Sequence, residues 1–176
     1  MKKFVLSSFL AFSSWMGIAQ VKHPGVGDLM PAFKLTDQDG KIFDSKDYVG
    51  KKILVIYFYP KDETSVCTKE ACTFRDSFQN FVDAGAMVVG INFGTVESHK
   101  SFQQNHKLPF TILSDPGNQV MNLFGVKGKL IFTGRETFVI DLSGKIVFTF
   151  DSMTDGAAHA QKALEMVKKL NSSTNL

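Results

Sequence analysis

Two nearly unbroken apolar runs dominate the first half of the chain. Residues 52–59 read KILVIYFY, and residues 86–93 read AMVVGINF. Runs of this length predict strands that are buried on both faces, as the central strands of a parallel sheet are. A segment of about 18 residues with helical periodicity separates them. The pattern therefore predicts a βαβ unit.

Shorter elements follow in the second half of the chain. In chain order, we expect a helix at 96–106, a strand at 110–113, helical turns at 119–124, a hairpin at 136–141 and 145–150, and a helix at 157–170. Gly144 supplies the turn that the hairpin needs. These elements predict an α/β fold with a central mixed β-sheet flanked by helices. Ligands of such sheets bind beyond the carboxyl ends of the strands.

The two ends of the chain differ from its body. Lys2 and Lys3 precede an uncharged, mostly apolar stretch that ends in Gly-Ile-Ala at residue 19, which is the pattern of a secretory signal peptide. We expect cleavage after Ala19 and an exported, periplasmic or extracytoplasmic domain over residues 20–171. A transmembrane anchor is the alternative, but four serines and a minimal length disfavour it. Residues 172–176 are expected to form a disordered tail.

The charge balance argues against polyanionic partners. Loss of Lys2 and Lys3 lowers the formal net charge from +3 to +1. A nearly neutral chain attracts neither nucleic acid nor an anionic membrane surface. We therefore expect no nucleic-acid binding and no stable membrane association.

The two cysteines of the chain, Cys67 and Cys72, follow closely after the first strong strand. Thr64 or Ser65 is a natural N-cap for the next helix. Cys67 then lies in the first turn, where the helix dipole favours a thiolate. In an intact helix, residues five apart have Cα atoms about 8–9 Å from each other. A disulfide requires about 7 Å or less, so the helix must open before the two sulfurs can bond.

Three interpretations of the cysteine pair compete. A static structural disulfide is usual in exported proteins, but it requires the segment not to be helical. A metal site needs further ligands, and His99 and His106, about 10 Å apart along their helix, cannot share one ion. We expect these two histidines to be solvated, and His23 and His159 belong to no motif. Redox chemistry at an activated thiolate agrees best with the spacing.

A longer pattern around the cysteines resembles a known family. Pro60-x-x-x-Thr64-x-x-Cys67 resembles the active-site signature of peroxiredoxins. A second cysteine five residues later resembles the bacterioferritin-comigratory-protein or peroxiredoxin Q branch. The similarity extends to residues 26–35 and 135–141 and covers residues 25–170. One departure is the sequence Thr-Ser-Val-Cys before and at Cys67, where the branch usually has Thr-Pro-Gly-Cys.

The resemblance implies a thioredoxin-like fold and a thiol-dependent peroxidase for hydrogen peroxide and organic hydroperoxides. Cys67 would be the peroxidatic nucleophile that becomes a sulfenic acid. Cys72 would resolve it by forming an intramolecular disulfide. Arg135, Thr64 and the backbone N–H of Cys67 would stabilise developing charge, and Pro60 would shield the sulfur. Thioredoxin or an extracytoplasmic dithiol would then reduce a monomeric enzyme that needs neither metal nor cofactor.

Other functions and roles remain open on the sequence alone. A thioredoxin-like thiol–disulfide oxidoreductase acting on exported proteins would use Cys-x-x-Cys, which is absent. A copper chaperone of similar fold would need Cys-x-x-x-Cys and a downstream histidine ligand, and the cysteine spacing does not provide it. An alternative role for Pro60 is simply to start a loop. An alternative for Arg135 is a solvated charge at the end of a strand.

Overall fold

The computed structural model describes residues 23–128 and 134–174. Its elements, in chain order, are β1 (Lys34–Asp37), β2 (Ile42–Asp44), a 3-10 helix (Ser45–Asp47), β3 (Ile53–Phe58), α1 (Ser65–Asp76), α2 (Phe78–Asp83), β4 (Ala86–Asn92), α3 (Val96–His106), β5 (Thr111–Ser114), α4 (Gln119–Leu123), β6 (Glu136–Ile140), β7 (Ile146–Asp151) and α5 (Gly156–Thr174). The described strands form a seven-stranded mixed sheet in the order β2-β1-β5-β4-β3-β6-β7.

The central strand β3 determines where its two neighbouring strands and the segments after them lie. It pairs in parallel with β4 and antiparallel with β6 on its other side. All six of its residues are buried, which explains the unbroken apolar run in the sequence. Because parallel strands end at the same edge of a sheet, the segments that follow β3 and β4 meet there. Those segments begin at Tyr59 and Phe93.

Aromatic side chains fill the cores on both faces of the sheet. On one face, Tyr57 of β3 stacks on Phe74 of α1 with ring centroids 4.6 Å apart. On the other face, Phe124 meets Phe138 of β6 edge to face at 5.0 Å. The first core also contains Cys67 and buried side chains of α5. The helix that carries the cysteines is therefore packed against both the sheet and α5.

The predicted α/β fold is confirmed, and most predicted elements lie within one or two residues of their expected bounds. The helix predicted between the two strong strands is interrupted at Ser77, which ends α1 and precedes α2. The three-residue strand β2 was not predicted because it is too short to show a periodicity.

The C-terminal helix is longer than predicted. α5 runs to Thr174, so residues 172–174, which were expected to belong to a disordered tail, are helical. Leu170 packs against the first core, and the hydroxyl of Ser172 donates to the carbonyl of Lys168 at 3.0 Å. These contacts carry the helix past residue 171. Residues 1–22, with the predicted signal peptide, and residues 175–176 lie outside the described residues.

Candidate active site

A pocket opens beyond the carboxyl ends of β3 and β4. Its volume is about 530 Å³, and its lining includes Pro60, Thr64, Cys67, Phe93, Arg135 and Met153. The lining comes from the loop after β3, the first turn of α1 and the loops before β6 and α5. Four of the five residues predicted for the site therefore meet around one cavity. The fifth, Cys72, is not among its lining residues.

Cys67 is the third residue of α1, and 1% of its surface is exposed. Thr64 occupies the N-cap position with an extended backbone. The expected capping hydrogen bond is absent at this helix start, since the hydroxyl of Thr64 instead donates to the carbonyl of Lys61 at 3.3 Å. The thiol thus lies at a helix N-terminus, where backbone N–H groups lack partners within the helix.

The guanidinium of Arg135 joins Cys67 to a carboxyl group. Its Nη2 donates to the sulfur of Cys67 at 3.0 Å, and its Nη1 donates to Oε2 of Glu70. Arg135 immediately precedes β6, whose pairing with β3 brings it to α1, and it is 3% exposed. The alternative in which Arg135 is a solvated charge at a strand end is therefore excluded. A fixed positive charge thus lies within hydrogen-bonding distance of the Cys67 sulfur.

Glu70 is the site residue that the sequence reasoning missed. It is fully buried one turn after Cys67, and burial raises its pKa to about 8 even though Arg135 acts in the opposite direction. Glu70 could have been recognised from the sequence, because it is a charged residue on the otherwise apolar stripe of α1. An inward-facing carboxyl needs a partner, and Arg135 is that partner.

His159 of α5 completes the buried cluster. Its Nε2 faces the carbonyl of Ser152 at 2.9 Å, and its Nδ1 lies 2.8 Å from Oγ1 of Thr137. Burial lowers the pKa of His159 to about 4, so the ring is neutral near pH 7. A carbonyl only accepts, so Nε2 carries the proton and Nδ1 is an acceptor. The same nitrogen lies 3.6 Å from Oε1 of Glu70, so the neutral ring places no positive charge beside that carboxyl.

The start of α5 touches the start of α1 at a glycine. A Cβ atom built at Gly156 would lie 2.6 Å from the carbonyl oxygen of Val66 and 3.0 Å from the Cβ of Glu70. The distance to the backbone oxygen of Val66 is too short for any Cβ atom, and the distance to Glu70 is tight. The close approach of the two helices therefore requires glycine at this position.

Cys72 lies in the same helix as Cys67 and is half-buried. Both thiols are free. The segment is helical from Ser65 to Asp76, so the interpretation as a static structural disulfide is wrong. The prediction that Cys67 lies in a first helical turn, with the sulfurs unbonded in the reduced form, is confirmed.

A second polar cluster supports the loop between Pro60 and Thr64. The buried carboxylate of Asp62 accepts hydrogen bonds from Tyr59, Asn92, Ser98 and His99 at 2.6–3.0 Å. Burial raises the pKa of Asp62, but hydrogen bonds from His99 and Ser98 outweigh it, and the pKa lies below its ordinary value.

The two histidines of α3 are not solvated as predicted. His99 is fully buried because its ring supplies a partner for Asp62. His106 is partly exposed, and its Nε2 lies 2.8 Å from Oε2 of Glu63. Within residues 23–128 and 134–174, no group of three or more His, Cys, Asp or Glu side chains is arranged to hold a metal ion. None of the described helices combines the length and apolarity needed to cross a membrane.

The site combines a buried thiol at a helix start, a guanidinium beside it and a pocket that both residues line, an arrangement suited to thiol chemistry on a small substrate. The sequence matches the family model described as AhpC/TSA over residues 26–149. The chain belongs to the AhpC/TSA family, and it is a peroxiredoxin with thiol-dependent peroxidase activity. Its substrates are a peroxide and a thiol reductant.

Curated relatives carry the name peroxiredoxin Q. The chain is 44% identical over 146 residues to the chloroplastic peroxiredoxin Q of Sedum lineare, which covers 82% of this chain and 78% of that protein. The chloroplastic peroxiredoxin Q of Suaeda salsa is 43% identical over 146 residues, covering 82% and 68%. The predicted family and branch are confirmed, and the thiol–disulfide oxidoreductase alternative is less supported.

Solved structures agree on the fold. Peroxidoxin BcpB from Mycobacterium tuberculosis superposes with a TM-score of 0.78 at 34% identity, covering 84% of this chain and 99% of that chain. A PrxQ mutant from Xylella fastidiosa superposes with a TM-score of 0.77 at 27% identity, covering 85% and 98%. The predicted thioredoxin-like fold is confirmed.

The predicted export is wrong on the same comparisons. The relatives from Sedum lineare, Suaeda salsa and Arabidopsis thaliana are all named as chloroplastic. They point to a plastid rather than to the periplasm or the cell exterior. The reductant therefore need not be extracytoplasmic.

Proposed function

We propose that Cys67 is the peroxidatic nucleophile of this peroxidase and that Cys72 is its resolving thiol. The observation that carries the proposal is the 3.0 Å contact between Nη2 of Arg135 and the sulfur of Cys67, where that sulfur lines the pocket. The guanidinium favours the thiolate and is already in place when charge spreads onto the peroxide.

In the first step, the Cys67 thiolate attacks one oxygen of the hydroperoxide. A sulfur–oxygen bond forms and the oxygen–oxygen bond breaks, so Cys67 becomes a sulfenic acid. The leaving oxygen departs with the electron pair and takes up a proton, giving water or an alcohol. Arg135 and the N–H groups of the first turn of α1 are the donors that stabilise the developing charge, and the hydroxyl of Thr64 joins them by turning away from the carbonyl of Lys61.

The remaining pocket residues control access to the sulfur. Pro60 lines the entrance beside Cys67 and shields the sulfenic acid, while Phe93 and Met153 give the pocket an apolar side. A pocket of this kind accepts organic hydroperoxides as well as hydrogen peroxide. A structure of the Xanthomonas campestris bacterioferritin comigratory protein, 28% identical with a TM-score of 0.74, is described in connection with alkyl peroxide reduction.

In the second step, Cys72 and the Cys67 sulfenic acid condense to an intramolecular disulfide. Both residues belong to α1, so local unwinding of one helix brings them together and no second subunit is needed. We take the monomer as the working unit. Thioredoxin, a dithiol protein, is the proposed reductant of the disulfide.

Peroxide consumption with dithiothreitol as reductant tests this assignment. Cys67→Ser should abolish consumption, because the remaining thiol, Cys72, is not among the residues that line the pocket. Without dithiothreitol, the Cys72→Ser protein should still oxidise Cys67 once, and intact-mass analysis should then show a sulfenic acid in place of a disulfide. Substantial peroxide consumption by the Cys67→Ser protein would refute the assignment.

A further inference from the structure

The two ends of the cysteine helix are attached to the same point of α3. Glu63, immediately before the N-cap of α1, accepts a hydrogen bond from Nδ2 of Asn105 at 3.0 Å and lies 2.8 Å from Nε2 of His106. At the other end of α1, Nη1 of Arg75 donates to the backbone carbonyl of His106 at 2.9 Å. The segment that must unwind is therefore held at both ends.

The front attachment holds an unusual backbone conformation. Glu63 has a φ of 60°, a left-handed value that residues other than glycine rarely adopt. Its two partners on α3 fix the direction in which the chain enters α1. Unwinding of the first turns thus begins from a fixed point.

The rear attachment places a positive charge beside the resolving thiol. Arg75 follows Cys72 by three residues, so the two side chains are neighbours on the helix surface. Hydrogen bonding to Asp76 raises the pKa of Arg75 above its ordinary value, and attraction and a hydrogen bond to Cys72 add to this effect. Phe74, fully buried, anchors the same turn in the core.

We propose that Arg75 is a positioning residue for the resolving step. It fixes the last turn of α1 to α3 and holds its guanidinium charge next to Cys72 while the first turns unwind. Cys67 then travels towards a resolving thiol that stays in place. This inference rests on the proposed function of the two cysteines.

The step itself needs no partner other than the two sulfurs. The Cys72 thiolate attacks the sulfur of the Cys67 sulfenic acid, the sulfur–sulfur bond forms, and the sulfur–oxygen bond breaks. Oxygen leaves with the electron pair as hydroxide and takes up a proton to give water. Cys72 is oxidised and the sulfenic sulfur is reduced. A guanidinium held one helical turn after Cys72 places positive charge beside the attacking sulfur.

Rapid-quench oxidation by one equivalent of hydrogen peroxide separates the two steps. Sulfenic acid is trapped with dimedone, free thiol with N-ethylmaleimide, and the products are measured by intact mass. Arg75→Met should leave Cys67 oxidation within about twofold of the unsubstituted rate and slow disulfide formation about five- to tenfold, the effect of one half-exposed charge. Excess peroxide should then produce more Cys67 sulfinic acid.

Three companion variants make the test specific. Arg75→Lys keeps the charge and should restore most of the resolving rate, whereas Lys168→Met removes a charge from exposed α5 surface and should change neither step. Asp76→Asn frees the guanidinium from a carboxylate that it binds at 2.8 Å and should leave resolution equally fast or faster.

The outcomes separate this inference from the function beneath it. An unchanged resolving rate in Arg75→Met would overturn the inference, and so would an equal loss in both steps, which indicates general structural damage. Slow resolution in both Arg75→Lys and Asp76→Asn would also overturn it. Failure of the unsubstituted protein to oxidise Cys67 would refute the proposed function instead.

Discussion

The carboxyl of Glu70 and the guanidinium of Arg135 are in direct contact, almost completely removed from water and beside the thiol of Cys67. The guanidinium therefore serves two acceptors, a carboxyl and a sulfur. Because the pKa of Glu70 is raised to about 8 by burial, its carboxyl is protonated at neutral pH. The full positive charge of Arg135 is then available to the Cys67 thiolate.

Replacing Arg135 by methionine should impair the first chemical step. The change removes a donor aimed at developing charge, which typically lowers a rate by about 10²–10³-fold. It also leaves the buried carboxyl of Glu70 without its partner, so the melting temperature should fall as well. Rapid-quench measurement of Cys67 oxidation tests the rate, with Arg75→Met as the control of equal charge change. A rate close to that of the unsubstituted protein would show that Arg135 does not act on the thiol.

Glu70 should make the equilibrium between the closed and the unwound α1 depend on pH, and Glu70→Gln should remove that dependence. The pKa of about 8 lies above the ordinary 4.5, so the closed helix holds a proton that the unwound helix releases. This contribution to closure is complete below pH 4.5 and is lost as the pH rises through about 8. Hydrogen-exchange protection in α1 of the reduced protein, corrected for intrinsic exchange, should therefore fall over that range. In the glutamine variant it should stay level; a parallel fall in both proteins would assign the effect to another group.

Oxidation should unwind only the front of α1. The Cα atoms of residues five apart in a helix are about 8–9 Å from each other, beyond the reach of a disulfide. Hydrogen exchange should become faster in residues 64–71 of the oxidised protein, while the last turn of α1, α3 and the central strands keep their protection. Equal protection in both redox states, with the disulfide verified by mass, would mean that the bond forms without unwinding.

Asp62→Asn should destabilise the fold by about 2–4 kcal/mol, the range for loss of a buried, multiply hydrogen-bonded charge. Urea unfolding measures this, with the exposed Asp83→Asn as a matched control. The pKa of Asp62 is lowered, so its stabilising effect is present above the ordinary 3.8 and disappears as the pH falls through the folded-state value. A loss of unfolding free energy no larger than that of the control would show that Asp62 does not stabilise the loop beside the pocket.

Local patterns were enough to predict part of this site. The apolar run of β3 and the helical spacing after it place Cys67 in a first turn, as the structure has it. The helix opening that a disulfide to Cys72 would need stays a prediction. The contact of Arg135 with Cys67 could not be predicted from spacing, because it depends on the pairing of β6 with β3. Only the resemblance to peroxiredoxins suggested it.

Burial of polar residues was the main failure of the sequence reasoning. Glu70 and His99 lie on helices whose inward faces are otherwise apolar, and their partners come from distant parts of the chain. Asp62 reaches His99 because the parallel strands β3 and β4 deliver their following segments to one edge. A single sequence records the residue types but not which of them the tertiary fold will bring together.

The glycine at the start of α5 affects the equilibrium between the two free thiols and the disulfide of Cys67 and Cys72. Gly156 lets the backbone of α5 lie against Val66 and Glu70 only while the first turn of α1 is closed. A methyl group there would penalise the reduced, closed protein and leave the unwound disulfide form unaffected. The equilibrium would shift towards the disulfide, and the reduction potential would become more negative. The closeness of one contact between two helices thus helps to decide which cellular dithiols can return electrons to this enzyme.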